Sequence, residues 1–175
     1  MQEKKVDSKI MLFALILVLI TLFLLNRLFE SNRYEGVWNY KKITSAKSLI
    51  FEGEEFTNRE TYYVLEEIVN QYLDSYISKN DNENKGYEEY YKYLTKSYKN
   101  YLSKNKYKQV AETFFNKFYD ETTNTMYTSQ LITAVYKYDN DIYLCKLENK
   151  TNNEIGYIAL KVSEYQQAFN IVYIE

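Results

Sequence analysis

The longest apolar run of the chain lies close to its first residue. Residues 10–25 carry no charge, and Thr21 is their only polar side chain. If the run is continued to Phe29, it covers twenty positions. The polar side chains near its end are compatible with a membrane helix, because they can extend toward lipid headgroups. About 20 residues of helix are needed to cross a bilayer. The pattern predicts an uncleaved transmembrane signal anchor at residues 10–29, after a cytoplasmic head formed by residues 1–9.

Two other interpretations fit this run less well. A secretory signal peptide would suit the three lysines before the run, but residues 26–34 offer no pair of small residues at cleavage spacing. A buried core helix normally carries a polar stripe, and this run has none. Basic residues are nearly balanced across the run, so the short head decides the orientation. We expect residues 30–175 on the extracytoplasmic side.

Helical spacing dominates residues 57–119. Apolar side chains recur every three or four residues in three segments, which predicts three helices. The segments cover residues 57–77, 87–102 and 106–119. Their predicted inner faces comprise Leu65, Ile68, Val69, Tyr72, Leu73, Tyr76, Ile77, Tyr87, Tyr90, Tyr91, Leu94, Tyr98, Tyr101 or Leu102, Tyr107, Val110, Ala111, Phe114, Phe115 and Phe118.

Local signals mark where these helices begin. Residues 57–60, TNRE, form a capping box led by the threonine, and Ser103 or Asn105 can cap the third helix. Residues 30–56 show no sustained period. We therefore expect a juxtamembrane connector there, with a short turn of helix around Ala46–Phe51.

From residue 131 onward the period drops to two, which indicates β-strands. Four short runs are rich in β-branched and aromatic residues, and connections this short allow only antiparallel neighbours. The runs cover residues 131–138, 142–147, 154–162 and 168–174. The predicted fold class is α+β: a transmembrane helix, then an extracytoplasmic domain at residues 57–175 in which three helices pack on one face of a curved four-stranded antiparallel sheet.

This element order resembles the membrane-anchored branch of the nuclear-transport-factor-two-like (NTF2-like), cystatin-like superfamily. Within that branch the layout is similar to the extracytoplasmic scaffold subunits of type IV secretion and conjugation machines. The resemblance covers residues 57–175 and implies a curved sheet and a scaffold role. It assigns no functional residue, and the superfamily also includes enzymes and small-molecule binders.

Composition narrows the chemistry that the chain can perform. It has 21 tyrosines, no histidine, no proline and one cysteine. Without histidine, the usual triads and general bases are lost. The single Cys145 excludes an intramolecular disulfide and a cysteine-based zinc cluster, and we expect it to be buried and inert. Residues 30–175 carry eighteen basic and twenty-two acidic side chains, which disfavours nucleic acid as a partner. The tyrosine excess is attributed to codon usage of an AT-rich genome.

Adjacent carboxylates are the remaining candidates for acid–base catalysis. They occur at residues 66–67, 88–89 and 120–121. Neighbouring residues on a helix do not face one another, so the first two pairs are expected on solvated faces. The third falls in a predicted loop. No catalytic residue follows from these pairs.

Two short motifs are rejected as functional sites. Residues 81–86 imitate the start of a calcium-binding EF-hand loop, but lysine stands at its fifth position and Lys92 at its twelfth, where a glutamate is needed. Asn149–Thr151 matches the N-glycosylation acceptor in a predicted hairpin loop. We interpret it as a coincidence in a chain rich in Asn, Lys and Thr.

Tyrosine and lysine alternate through residues 87–108. One interpretation is a platform on which sugars or bases stack while lysines attract an anionic polymer. The other is a core-facing tyrosine stripe with an ordinary lysine-rich wet side. The helical spacing of the tyrosines favours the second.

These observations predict a non-enzymatic, single-pass interaction or scaffold protein of the bacterial cell envelope, without cofactor or metal. Its partners would be the bilayer, through residues 10–29, and proteins of an envelope assembly or further copies of itself. The final strand offers an edge for strand pairing. The alternative is an extracytoplasmic ligand-binding module with a cone-shaped pocket between helices and sheet. An enzyme that uses Asp or Glu with Tyr is a third hypothesis.

Overall fold

The run predicted as an anchor is helical. The computed structural model describes residues 8–33, 38–50, 53–77, 86–138, 141–163 and 168–175, and most of the predicted head, residues 1–7, lies outside them. Helix α1, Ser8–Arg33, belongs to a unit formed by Met1–Asn39. No helix within the described part of the chain combines the length and the apolar character that crossing a bilayer requires, so the transmembrane element of the predicted fold class is not found there.

The second unit, Tyr40–Glu175, is an α+β domain, as the sequence predicts. Its helical elements are α2 Ala46–Ile50, α3 Arg59–Ile77, a 3₁₀ helix Gly86–Tyr93, α4 Lys96–Tyr101 and α5 Lys104–Asn116. Its strands are β1 Glu54–Glu55, β2 Tyr119–Asp120, β3 Thr125–Met126, β4 Ile132–Tyr138, β5 Ile142–Asn149, β6 Glu154–Val162 and β7 Phe169–Ile174.

The main sheet has five strands in the order β1-β4-β5-β6-β7, and all neighbours are antiparallel. The four-strand meander predicted from residue 131 onward is confirmed, but the predicted count of four is wrong. Strand β1 has only two residues, both glutamates, so it has no pattern of its own. Its approach to β4 depends on Gly53, because a Cβ there would lie 2.7 Å from Cζ of Tyr138.

Helix α5 packs on one face of this sheet, and the short helix α2 contacts the opposite face at β4. Gly156 on β6 lies against the rings of Phe114 and Phe118, which places α5 on one face. On the other face, the phenol of Tyr138 donates a hydrogen bond to the carbonyl of Leu49 in α2. The described part of the connector from Tyr40 onward therefore belongs to the domain. Its predicted helical turn is confirmed as α2, and the turn helps to bury the sheet.

The second predicted helix is broken in two. It forms the 3₁₀ helix and α4, separated at Leu94, which makes a parallel bridge to Ile171 of β7. The amide of Thr95 then donates to the carbonyl of Ile171 at 2.8 Å, while the Thr95 hydroxyl accepts from the amide of Tyr98 and caps α4. A hydrogen bond to the sheet thus replaces the continuous helix that the tyrosine spacing predicts.

The two predicted caps have different outcomes. Ser103 caps α5 by accepting from the amide of Lys106, as predicted. At α3 the capping box is misplaced by one residue: the side chain of Asn58, and not that of Thr57, accepts from the amide of Glu60 at 2.9 Å. Asparagine is at least as good a cap as threonine, and the helix begins immediately after it.

Candidate functional site

Aromatic side chains fill the space between the helices and the sheet. The largest fully buried ones are Tyr72, Tyr87, Tyr107, Phe114, Phe115 and Phe118. They pack ring against ring, for example Tyr72 on Phe115 with centroids 4.9 Å apart. Aromatic rings therefore occupy the place of the predicted cone-shaped pocket among the described residues. Most of the inner faces of the first and third predicted helices is buried, whereas Tyr76 and Val110 are half-buried.

The buried phenols in this core form a hydrogen-bonded chain. The hydroxyl of Tyr107 donates to the carbonyl of Tyr87 at 2.8 Å and pairs with the hydroxyl of Tyr72 at 2.9 Å. Burial raises the pKa of both Tyr72 and Tyr107 above that of an ordinary phenol. These groups stay neutral and act as structural links.

A groove of about 400 Å³ lies instead at the side of the domain, between α5 and the end of β7. We call it the α5 groove. Its α5 wall is formed by Lys106, Gln109, Val110, Thr113 and Lys117. Because each of these residues lies three or four positions from another of them, they share one face of the helix. The hydroxyl of Thr113 donates to the carbonyl of Gln109 at 3.0 Å.

The opposite wall is a stack of three tyrosines. The ring of Tyr40 packs on Tyr98 with centroids 5.0 Å apart and on Tyr101 with centroids 5.4 Å apart, in both cases nearly parallel. The ammonium of Lys106 lies 4.6 Å from the centroid of Tyr101. Tyr40 and Tyr98 are buried, and 41% of Tyr101 is exposed. Aromatic and cationic groups therefore meet at one end of the groove.

A carboxylate closes the floor of the groove. The side chain of Glu175 accepts hydrogen bonds from the amide of Ala46 and from the hydroxyl of Tyr173. Burial, followed by this hydrogen bond and the nearby negative charge, raises the pKa of Tyr173. Glu175 is thus held by two neutral donors of the domain.

The same tyrosines cover the outer edge of β7. The hydroxyl of Tyr40 donates to the carbonyl of Val172 at 2.9 Å, and the amide of Ile174 donates to the hydroxyl of Tyr98 at 3.3 Å. With Thr95 on Ile171, three backbone groups of this edge already have partners. Strand β7 is an edge strand, as the sequence predicts, but these three contacts occupy part of that edge. Strand pairing with a partner stays a prediction.

Two lysines line the groove. Lys117 donates to the carbonyl of Ile155 at 2.9 Å, and the ammonium of Lys106 lies over the ring of Tyr101. Within the described residues, neither ammonium has a carboxylate within ion-pair distance. The groove therefore holds two lysines that form no ion pair within the described residues, although Glu175 also lines it.

The other candidates named from the sequence do not converge on a site. Glu88 pairs with Lys108 at 3.2 Å. Asp120 caps its own turn by accepting from the amide of Thr122, and this hydrogen bond lowers the pKa of Asp120. Among the described residues, no three His, Cys, Asp or Glu side chains are grouped as metal ligands. The calcium-like loop, residues 81–86, falls almost entirely outside the described ranges.

Burial decides the outcome for the two remaining motifs. Only 5% of Asn149 is exposed, and its side chain donates to the carbonyl of Lys117 at 3.0 Å and accepts from the amide of Thr151. Its side chain therefore holds neighbouring backbone segments together and is not accessible as a glycan acceptor. Cys145 is buried in β5, as predicted, and burial raises its pKa to about 12.

Some tyrosines of residues 87–108 belong to the core, as one of the two interpretations predicts, and another lies at the surface. Tyr87, Tyr98 and Tyr107 are buried, which confirms the core interpretation for them. Tyr101 lines the α5 groove, which sequence analysis missed. The available signal was the polar face of the third helix, where Lys106, Gln109 and Thr113 follow at helical steps beside the tyrosines.

Comparison of the chain with protein-family models, with curated proteins and with solved structures gives no match. The resemblance to NTF2-like scaffold domains therefore remains a prediction from the element order.

Proposed function

We propose that this protein is a non-enzymatic, single-pass interaction protein of the bacterial cell envelope, held in the membrane by residues 10–29, with residues 30–175 extracytoplasmic. One observation carries the proposal: the thirteen large hydrophobic side chains between Met11 and Leu25 are 43–70% exposed along α1. Exposed apolar surfaces of this size are characteristic of contacts with lipid or protein.

The polar chemistry of this helix suits an apolar surrounding. Its one polar side chain within residues 10–25, Thr21, donates its hydroxyl hydrogen to the carbonyl of Leu17 at 2.8 Å. Unsatisfied polar groups are costly in lipid, and this bond removes the cost. The fifteen described side chains, 11–25, cover about 22 Å of helix, whereas the hydrocarbon core measures about 30 Å. The proposal therefore requires residues 26–29 to reach the headgroup region.

Membrane retention tests the anchor. Wild-type protein should remain in the membrane pellet after alkaline carbonate washing and dissolve only with detergent. Replacing Ile16 and Leu19 by arginine, at about 2.5–3.5 kcal/mol for each residue at a helix centre, should release it or prevent insertion. A control with Thr123→Arg in an exposed turn should leave retention unchanged. Full-length wild-type protein in the soluble fraction without detergent would overturn the proposal.

Orientation and partners need separate measurements. Protease added to intact cells should degrade residues 30–175, and protection of this region until lysis would reverse the orientation.

Cross-linking in cells, followed by mass spectrometry, should recover an envelope protein or a second copy of the chain. Monomer alone at native expression would contradict an interaction role, and turnover by the purified protein would contradict the non-enzymatic assignment.

A second candidate function, an extracytoplasmic ligand-binding module, is favoured by the α5 groove. The groove combines apolar contact from Leu102, Val110 and Ile174 with polar and charged groups, which is the usual composition of a ligand site. It differs from the predicted cone in position, because aromatic core residues occupy the space between helices and sheet.

A further inference from the structure

We propose that the α5 groove binds an extended acidic peptide segment of a partner protein. The inference rests on the interaction function proposed above and names the chemistry of the partner. It begins with the length of the groove. Lys106 and Lys117 lie eleven residues apart along α5 and its cap, hence on one helix face about 16 Å apart. Five residues of extended chain span about the same distance, at roughly 3.3 Å each.

Charge selects an acidic occupant. Lys106 and Lys117 have no acidic partner among the described residues, whereas Glu175 is held by the amide of Ala46 and the hydroxyl of Tyr173. Two lysines and one glutamate line the groove, so its charged side chains leave a net positive charge, with the two lysines on the α5 side. Two carboxylates about five residues apart would complement it.

The tyrosine wall disfavours a ligand that binds by ring stacking. The ring of Tyr101 already carries the ring of Tyr40 at 5.4 Å and the ammonium of Lys106 at 4.6 Å. Tyr98 is 2% exposed and offers no free face. Sugars and bases need such a face, so the stack serves as an apolar wall.

The centre of the groove favours a peptide over a simple polyanion. Val110 and Ile174 provide apolar contact between the two lysines. The exposed amide of Gln109 offers both a donor and an acceptor, which match the carbonyl and N–H groups of a peptide backbone. The outer edge of β7 is already capped by Tyr40 and Tyr98, so the peptide would lie along α5 and not pair as a sixth strand.

Selection from a phage-displayed library of random peptides tests this inference on the full chain in a nonionic detergent. We expect enriched peptides to carry two acidic residues about five positions apart, with apolar residues between them. Fluorescence anisotropy of the enriched peptide should show about tenfold weaker binding to the Lys106→Gln, Lys117→Gln double variant. Thr113→Trp, which places a bulky ring at an exposed helix position inside the groove, should abolish binding.

The matched control is the Lys96→Gln, Lys104→Gln double variant, which removes the same charge from lysines outside the groove and should bind normally. Enrichment of peptides without the acidic pair, no enrichment, or equal binding to both double variants would overturn the inference. Displacement of the peptide by long-chain polyphosphate at equal charge concentration would also overturn it in favour of an anionic polymer. Membrane retention does not involve the groove, so its outcome separates failure of this inference from failure of the anchor.

Discussion

Replacing Gly156 by alanine places a methyl group where no space exists. A Cβ at this position of β6 would lie 2.8 Å from Cε2 and Cζ of Phe118 and 3.0 Å from Cε2 of Phe114. Ordinary carbon–carbon contacts are about 3.5–4.0 Å. Both rings are fully buried between α5 and the sheet, so they cannot move into solvent. The strand, the helix or both must shift.

The expected cost of Gly156→Ala follows from two opposing effects. Overpacking a core typically costs about 1–3 kcal/mol. Alanine recovers about 0.4–1 kcal/mol by restricting the unfolded chain. We therefore expect a loss of about 1–2 kcal/mol in the free energy of unfolding, or about 3–8 °C in Tm for a domain of this size. Thermal unfolding followed by near-ultraviolet circular dichroism measures it.

A double-mutant cycle separates the clash from a general effect of the substitution. Phe118→Leu removes the two ring atoms nearest to the new methyl group, at its own cost to the core. In that background Gly156→Ala should cost less than about 0.5 kcal/mol. Equal costs in both backgrounds, or an alanine variant as stable as wild type, would refute the steric explanation.

Three further predictions concern buried side chains. Tyr107→Phe removes the donor to the Tyr87 carbonyl and the partner of the Tyr72 hydroxyl, and should cost about 1–3 kcal/mol in urea unfolding, whereas Tyr63→Phe at a 70% exposed position should cost little. Cys145, with its pKa raised to about 12, should react with a thiol reagent at pH 8 only at the rate of unfolding, and fast labelling of folded protein would contradict its burial. The raised pKa values of Tyr72 and Tyr107 favour the neutral phenols of the folded state, so their contribution is complete below the ordinary value of 10.0 and is lost as pH rises above it. Alkaline titration should therefore show tyrosinate absorbance rising together with loss of circular dichroism, and complete ionisation of folded protein would refute it.

Periodicity predicted the elements whose burial repeats along their own sequence. The inner face of α5 largely follows this pattern. The four strands from β4 to β7 were predicted from a period of two and from their β-branched and aromatic residues, yet β5 and β6 are buried over most of their length and not at alternate positions. Two features did not follow from it. The tyrosine stripe of residues 87–102 is helical in spacing, yet the chain breaks at Leu94 to bridge Ile171, which is far away in sequence. Strand β1 exists only because β4 offers it an edge.

The candidate site could not be located from the sequence for a related reason. The α5 groove joins residues of the connector, of α4, of α5 and of the last strand, which are distant in sequence. Its lysines are indistinguishable in pattern from the solvated lysines beside them. The connector places Tyr40 on Tyr98, and these rings stand opposite the polar face of α5. This arrangement forms the groove, and it cannot be read from the sequence of α5 itself.

The tyrosines of this domain do more than fill volume. Four buried tyrosines use their hydroxyl groups to hydrogen-bond backbone groups of other residues: Tyr40 bonds Val172, Tyr98 bonds Ile174, Tyr107 bonds Tyr87 and Tyr138 bonds Leu49. Phenylalanine would fill the same space but leave that group unpaired, at about 1–3 kcal/mol each. Two of these tyrosines, Tyr40 and Tyr98, bond the edge of β7 and also form one wall of the α5 groove. A partner strand that took over these backbone groups of β7 would have to displace the two tyrosines from the wall. A peptide bound along α5 would leave the hydrogen bonds to β7 and the groove wall intact.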